Sequence, residues 1–363
     1  MNLATVDKIA KAVLYEGYML YPYRPSSVKN QQRWNFGVLC SESYSDAQNG
    51  TEAWTMQTEC LVEGGSLTGI EVRVRFLQLV ARSVGELTVP VGEQSPDEAP
   101  EFRVVDSLTV NGRLYQPWQE AVEREVVLPV FNLDALIHAP VSESFTFSQG
   151  KDFEYLKNEE GRVSGVLLRD RSALQGVIEA SSERVDEELF KVTIRIRNRT
   201  PFAVAQQTSR EDALLVSLVS THTVLGVEDG KFISLLAPPE PLAGMAANCN
   251  NVGTWPVLVG NEGQYDTLLS SPIILYDYPQ IAPESAGDLF DGTEIDEILS
   301  LRIMTLTDDE KREMSQSDER ARQMLERTET MPVEQFMKLH GVLRGLRPVA
   351  SSTRPSSNQE EAQ

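Results

Sequence analysis

Histidine and cysteine are the scarce residues of this chain, three of each among 363. Cys40, Cys60 and Cys249 are far apart and odd in number, which argues against a disulfide framework and for a reducing compartment. His138, His222 and His340 are the only side chains whose ordinary pKa suits a neutral-pH general base, and none sits in a recognisable motif. There is no G-x-S-x-G elbow, phosphate loop, G-x-G-x-x-G, H-E-x-x-H or C-x-x-C. Long apolar runs are missing too. No run approaches the roughly 18 residues of a membrane helix, and the opening MNLATVDKIAKAVLYEGYML is interrupted by Lys8, Lys11 and Glu16 with no small-residue cleavage site. These absences read as a cytoplasmic chain without membrane insertion. Positive charge is the last shortage: 33 Lys and Arg against 54 Asp and Glu, net −21, pI ≈ 4.6. Such a surface repels nucleic acid and anionic membranes and favours cationic partners or metal ions. The shortage is sharpest from Phe232 to Leu301, which holds ten acids and no Lys or Arg.

What is present reads as a folded body. The hydrophobic fraction is 41% and the charged fraction 24%, too apolar for a disordered chain. Leu3, Val6, Ile9, Ala10, Val13 and Leu14 recur at helical spacing. From Glu52 to Arg199 the period is two: Ile70, Val72, Val74 and Phe76 alternate with Glu71, Arg73 and Arg75, and Phe190, Val192, Ile194 and Ile196 repeat the pattern. Asn111-Gly112, Glu160-Gly161 and Asp229-Gly230 read as hairpin turns. SREDALLVSLVSTHTVL fits either a short helix capped by Ser209 or a buried strand, while FISLL, WPVLVG and SPIILYDY resemble strands. Beyond Ala282 helix starts dominate, among them a T-x-x-E capping box from Thr307 to Glu310. The expected fold is α+β: a predominantly antiparallel β-sandwich-like body with a short N-terminal helix and a C-terminal helical segment. Its expected boundaries are a helix over 1–20, the β-rich body over 21–281, helices over 282–347 and a disordered tail over 348–363.

Three groups of residues are candidates for function. Tyr21, Tyr23, Arg24, Arg33 and Trp34 crowd one Pro-interrupted loop, where aromatic faces and forked donors suit a partner; the bland alternative is a loop folded back on the sheet. Asp277, Glu284, Asp288 and Asp291 belong to the base-free stretch and offer a docking face for a basic segment, or simply serve turns and helix starts. Cys40, Cys60, Cys249 and His222 are the remaining metal-ligand set, although they lack the paired spacing of a zinc site, and the alternative is buried, inert thiols. No catalytic residue and no cofactor is expected.

One resemblance narrows the function. VLYEGYMLYPYRPSSVKNQQRWNFGVL, TECLVEGG with VRVRFLQLVAR, WQEAVEREV, SLVSTHTVLGVEDGKFISLL and above all LSSPIILYDYPQIAPESAGDLFDGTEIDEILSLRIMTLTDDEK resemble a family of uncharacterised bacterial proteins encoded beside uptake [NiFe] hydrogenases. The likeness runs collinearly from about Val13 to Arg344. It implies an accessory role in hydrogenase maturation, assembly or quality control, with a hydrogenase subunit or maturation factor as partner. The alternatives are a metal-handling protein and an enzyme with an unrecognised Cys/His site.

Overall fold

The computed structural model describes residues 1, 3–14, 35–88, 100–205, 208–280, 303–317, 319–330 and 332. Its spine is one strand, β1, running over 33 residues from Thr55 to Leu87. The strands that follow are β2 (Phe102–Val105), β3 (Leu108–Val110), β4 (Arg113–Tyr115), β5 (Trp118–Val127), β6 (Phe131–Asn132) and β7 (Val141–Phe147). Next come β8 (Gly150–Lys157), β9 (Val163–Arg171), β10 (Leu174–Asp186), β11 (Leu189–Asn198), β12 (Val219–Ile233), β13 (Trp255–Leu258) and β14 (Thr267–Ser271). Helices are short: α1 (Leu3–Ile9), α2 (Glu42–Ala47), α3 (Leu133–His138), α4 (Arg210–Leu214) and α5 (Ala243–Ala247), then α6 (Asp308–Ser317) and α7 (Glu319–Thr330). The result is the expected α+β, sandwich-like fold, with twelve strands in one antiparallel sheet and β3–β4 as a separate hairpin.

β1 is too long to be straight. At ~3.3 Å per residue it would reach about 110 Å, whereas a compact chain of this length has a radius of gyration of about 21 Å. It bends where its register against β12 slips, between Gly64 and Gly69. There the Thr68 side chain folds over Gly64, where a Cβ would come within 2.1 Å of Thr68 Oγ1. That hydroxyl donates to the Asp229 carbonyl at 2.8 Å. Asp229, at φ 53°, lies inside β12 opposite this bulge, so Asp229-Gly230 marks a kink and not the expected hairpin turn. The two other turns are as expected: Asn111-Gly112, both at positive φ, join β3 to β4, and Gly161, at φ 77°, joins β8 to β9.

Bending lets β1 serve two sets of neighbours. One of its edges carries β11, β6, β5 and β2 in succession, and the other carries β12 and then β9. Cys60 and Val62 before the bulge and Ile70, Val72, Val74 and Phe76 after it enter one core with Phe190, Val192, Ile194, Ile196, Leu225 and Leu268. Phe76 is fully buried, its ring 5.7 Å from Phe145 and 5.8 Å from Phe147. Outward-facing residues pair in ladders: Arg75–Glu125 at 2.6 Å, Arg169–Glu120 at 2.7 Å, Arg197–Glu179 at 3.1 Å and Lys191–Glu183 at 2.8 Å.

Segment 209–233 satisfies both of its readings in turn. Ser209 caps α4 through a reciprocal box with Asp212, and the chain then becomes β12. α1 continues as a π-helical turn, Ala10–Leu14, and buries Val6, Ile9, Ala10 and Leu14 on Val224, Val257, Leu269 and Leu275. At the other end the Thr307–Glu310 box closes, with Thr307 N–H donating to Glu310 at 2.6 Å and Glu310 N–H to Thr307 Oγ1 at 3.3 Å. α6 and α7 form an antiparallel pair joined by Lys311–Glu329 at 3.0 Å, and α6 lies against β4. Among the described residues no helix is long and apolar enough to cross a membrane.

Candidate functional site

The loop candidates Tyr21, Tyr23, Arg24, Arg33 and Trp34 and the acids Glu284, Asp288 and Asp291 lie outside the described residues, as do the tail and the helix starts at 281–302. Asp277 is described, and its carboxylate is occupied. Oδ1 accepts the Leu258 N–H at 2.8 Å, and Oδ2 accepts the Ser234 hydroxyl. It therefore stitches the chain to the outer edge of β13 rather than presenting a free charge.

The cysteines and His222 are not assembled into one centre. Cys40 packs with Tyr44, Leu77 and Leu79, Cys60 lies in the main core, and Cys249 sits beside Leu61, Leu189 and Met245. His222 is cross-strand partner to Arg75 under α1, its Nδ1 2.8 Å from the Ser220 carbonyl oxygen. No group of three His, Cys, Asp or Glu residues suited to a metal ion occurs among the described residues. Burial pushes the Cys40 and Cys60 thiols up, and burial together with Glu59 pushes Cys249 up to about 11. Thiols held that way stay protonated at neutral pH, the opposite of what an attacking thiolate needs. Burial pulls His222 down to about 4, with Arg75 adding to the effect and the Ser220 carbonyl opposing it. The Cys249 loop is clamped instead: Glu59 accepts the Asn250 N–H at 2.8 Å, and the Asn251 side chain pairs with the Glu59 backbone like a strand residue.

A cleft of about 260 Å³ opens beside α1, lined by Asp7, Lys11, Arg75, Glu123 and Glu125. Arg75 bridges Asp7 at 2.5 Å and Glu125 at 2.6 Å, so the central charge of this cleft is neutralised within the fold. Its polar wall holds α1 to the sheet.

The outer edge of the sheet is different. β13 is the terminal strand of the order β13-β14-β12-β1. SPIILYDY does not form the expected strand: β14 ends at Ser271, and residues 272–278 run on as an irregular strap. The strap leaves β14 at Ser271, opposite Trp255, and reaches the free edge of β13 at its far end, where Tyr278 N–H donates to the Leu258 carbonyl at 2.7 Å. Pro256 has no N–H to offer there, a second protection of an edge strand. Along the strap exposure alternates. Leu275 is buried under α1, while Ile274 is 71% and Tyr276 87% exposed. Trp255 at one end of β13 and Tyr265, whose ring meets Tyr278 beyond the other, are each almost half exposed. Nothing local announces which of these side chains are exposed, because SPIILYDY has the composition of a buried strand and only the Leu275 anchor decides which side chains turn out.

No family model and no curated protein matches this chain.

Proposed function

We propose that this chain is an accessory protein of an uptake [NiFe] hydrogenase, acting in maturation, assembly or quality control by binding a hydrogenase subunit or maturation factor, without catalysis of its own. The observation that carries the binding reading is the pair Ile274 and Tyr276. A large aliphatic and an aromatic side chain stand in water on a segment that is tied down at both ends. Exposed apolar residues held in place mark interaction surfaces more often than reaction centres. The hydrogenase assignment rests on the family likeness, whose strongest stretch, Leu269–Lys311, contains this strap. Capture of the full-length protein from a native host should recover a hydrogenase subunit or maturation factor; recovery of neither overturns the reading. Cys249→Ser should leave hydrogenase activity in those cells unchanged, since that thiol is held protonated, and a loss would favour a Cys-dependent enzyme.

A further inference from the structure

We infer that Arg124 and Arg171 form a binding site for a carboxylate group, placed where β5 meets the connection from β7 to β8. The site is separate from the strap and does not require the accessory role proposed above.

Arg124 stands apart from the other arginines of the sheet. In a chain of 54 acids and 33 bases, arginines elsewhere close on carboxylates, Arg75 on Asp7 and Glu125, Arg82 on Glu120 and Arg197 on Glu179. Arg124 has no carboxylate within ion-pair distance among the described residues, although its chain neighbours are Glu123 and Glu125. Strand geometry is the reason. In the pairing of β5 with β1, Glu125 lies opposite Arg75 and Glu123 opposite Leu77, whereas Arg124 lies opposite Phe76, so both acids turn to one face and Arg124 to the other. The nearest acid on Arg124's side of β5, Glu120, is held by Arg82 at 3.0 Å and Arg169 at 2.7 Å.

The guanidinium is also held in place. Its Nε donates to Gln78 Oε1 at 2.8 Å, and Gln78, fully buried, is locked in turn by its Nε2 donating to the Ser172 carbonyl at 2.7 Å. Arg124 Cζ lies 4.8 Å from the centre of the Phe147 ring, which packs on Phe76 and Phe145. With Nε and one face occupied, Nη1 and Nη2 remain as a fork of donors. Arg171, the residue before Ser172, stands beside it. Its Nη1 donates to Asp152 at 2.5 Å, and its Nη2 lies over Gly150, where a Cβ would come within 2.8 Å. Burial and the Arg171 charge both pull the Arg124 pKa down, as expected of a cation whose charge is not answered within the fold. It stays protonated at neutral pH all the same.

The chemistry of the site selects its ligand. Two guanidinium groups and one carboxylate, Asp152, leave a single positive charge, the complement of a monocarboxylate. Two coplanar oxygens match the open fork, and a fork already oriented loses little freedom on binding. A phosphate dianion would exceed that charge in a chain that is already strongly acidic. The carboxylate can belong to a small free acid or to the end of a peptide, since both present the same group.

The test uses the full-length protein, isotope-labelled at arginine nitrogen, with potassium acetate replacing chloride at constant ionic strength. The Nε–H resonances of Arg124 and Arg171 are identified by their loss in Arg124→Lys and Arg171→Lys. Acetate should shift both resonances to saturation and leave those of the paired Arg75 and Arg197 in place. Arg124→Lys should bind acetate on the order of tenfold more weakly, because an ammonium is a point charge without the fork. Arg171→Lys should weaken it as well, and decides the matter if Arg124→Lys fails to fold. Inorganic phosphate should bind no more tightly than acetate. N-acetyl-diglycine and its amide separate the two sources. Binding of the acid, not the amide, more tightly than acetate assigns the site to a peptide end, and binding no tighter than acetate assigns it to small free acids. Shifts that rise linearly with acetate overturn the site, as do equal shifts at Arg75 and Arg197. Wild-type affinity in folded lysine variants also overturns it, and tighter binding of phosphate overturns the carboxylate assignment.

Discussion

The wing built on β1, β5, β9, β10 and β11 and the edge built on β13, β14 and the strap solve the same problem with opposite means. In the wing every strand has long neighbours, alternate residues are buried, and outward arginines meet carboxylates on the next strand, as Arg197 meets Glu179 and Arg75 meets Glu125. The wing is self-complementary and leaves few demands on its surroundings. The edge has no bases to form ladders, and its last strand is only four residues long. It closes its hydrogen bonds with an irregular strap and leaves apolar side chains in water. The difference teaches that closing the hydrogen bonds of a sheet edge does not by itself finish its burial: Ile274 and Tyr276 stay exposed there.

Four changes break or sharpen this contrast. The largest effect belongs to the wing. Phe76→Ala empties a fully buried ring from between Phe145 and Phe147, and should cost about 3–5 kcal/mol in urea unfolding. A loss of well under 1 kcal/mol would mean that the two sets of β1 neighbours do not share one core.

Second is acid. His222 is buried neutral, with its pKa pulled from 6.5 to about 4. Because the unfolded chain takes up the proton first, His222 supports the fold fully above 6.5, and that support fades as pH falls from 6.5 towards 4. The loss should amount to about 3 kcal/mol. The charged groups facing it are Arg75, which disfavours the imidazolium, and Asp7, which favours it. Unfolding midpoints compared at about pH 7.5 and about pH 4.5 should converge in His222→Gln, leaving only the carboxylate contribution. An unchanged slope would assign the acid sensitivity elsewhere.

Third is the stitch between the regions. Asp277→Ala leaves Leu258 N–H and the Ser234 hydroxyl without their acceptor, and should cost about 1–3 kcal/mol while raising hydrogen exchange at the Leu258 amide. If that amide stays protected, the strap is held by its other bonds. The smallest effect is on the exposed pair. Ile274→Ser with Tyr276→Ser should shift stability by no more than about 0.5 kcal/mol, so that any binding loss reports the surface and not the fold.

Much of the wing was legible because its signals are local. The rows Ile70–Phe76 and Phe190–Ile196 alternate at the period of a strand with one buried face, and both rows are buried. The Thr307 box was legible because a hydroxyl and a carboxylate three residues apart suit a helix start, whereas the segment at Ser209 was legible only as either a capped helix or a strand. The candidate site was much less so. Asp277 reads as a surface acid until Leu258 and Ser234, distant in sequence, are brought to it. Asn198, fully buried, was not singled out at all, yet its side chain donates to the Leu39 and Val216 carbonyls and accepts the Thr200 N–H. An asparagine at this position looks like a strand end, and nothing near it announces the two remote carbonyls it meets.

The amino-acid order by itself determined the acidic balance, the alternation of the long strands, the helix caps and the Asn111-Gly112 turn, each a property of a few neighbouring residues. Tertiary structure alone decided that 33 residues form one bent strand, that Asp229-Gly230 kinks instead of reversing the chain, and that SPIILYDY becomes a strap. Those outcomes depend on which segment lies alongside. Thr68 must reach the Asp229 carbonyl to set the bend, and Leu275 must find the α1 cluster before Ile274 and Tyr276 are committed to water. Strand pairing and burial are relations between distant parts of the chain, and a local pattern carries the tendency to form a strand without naming its partner.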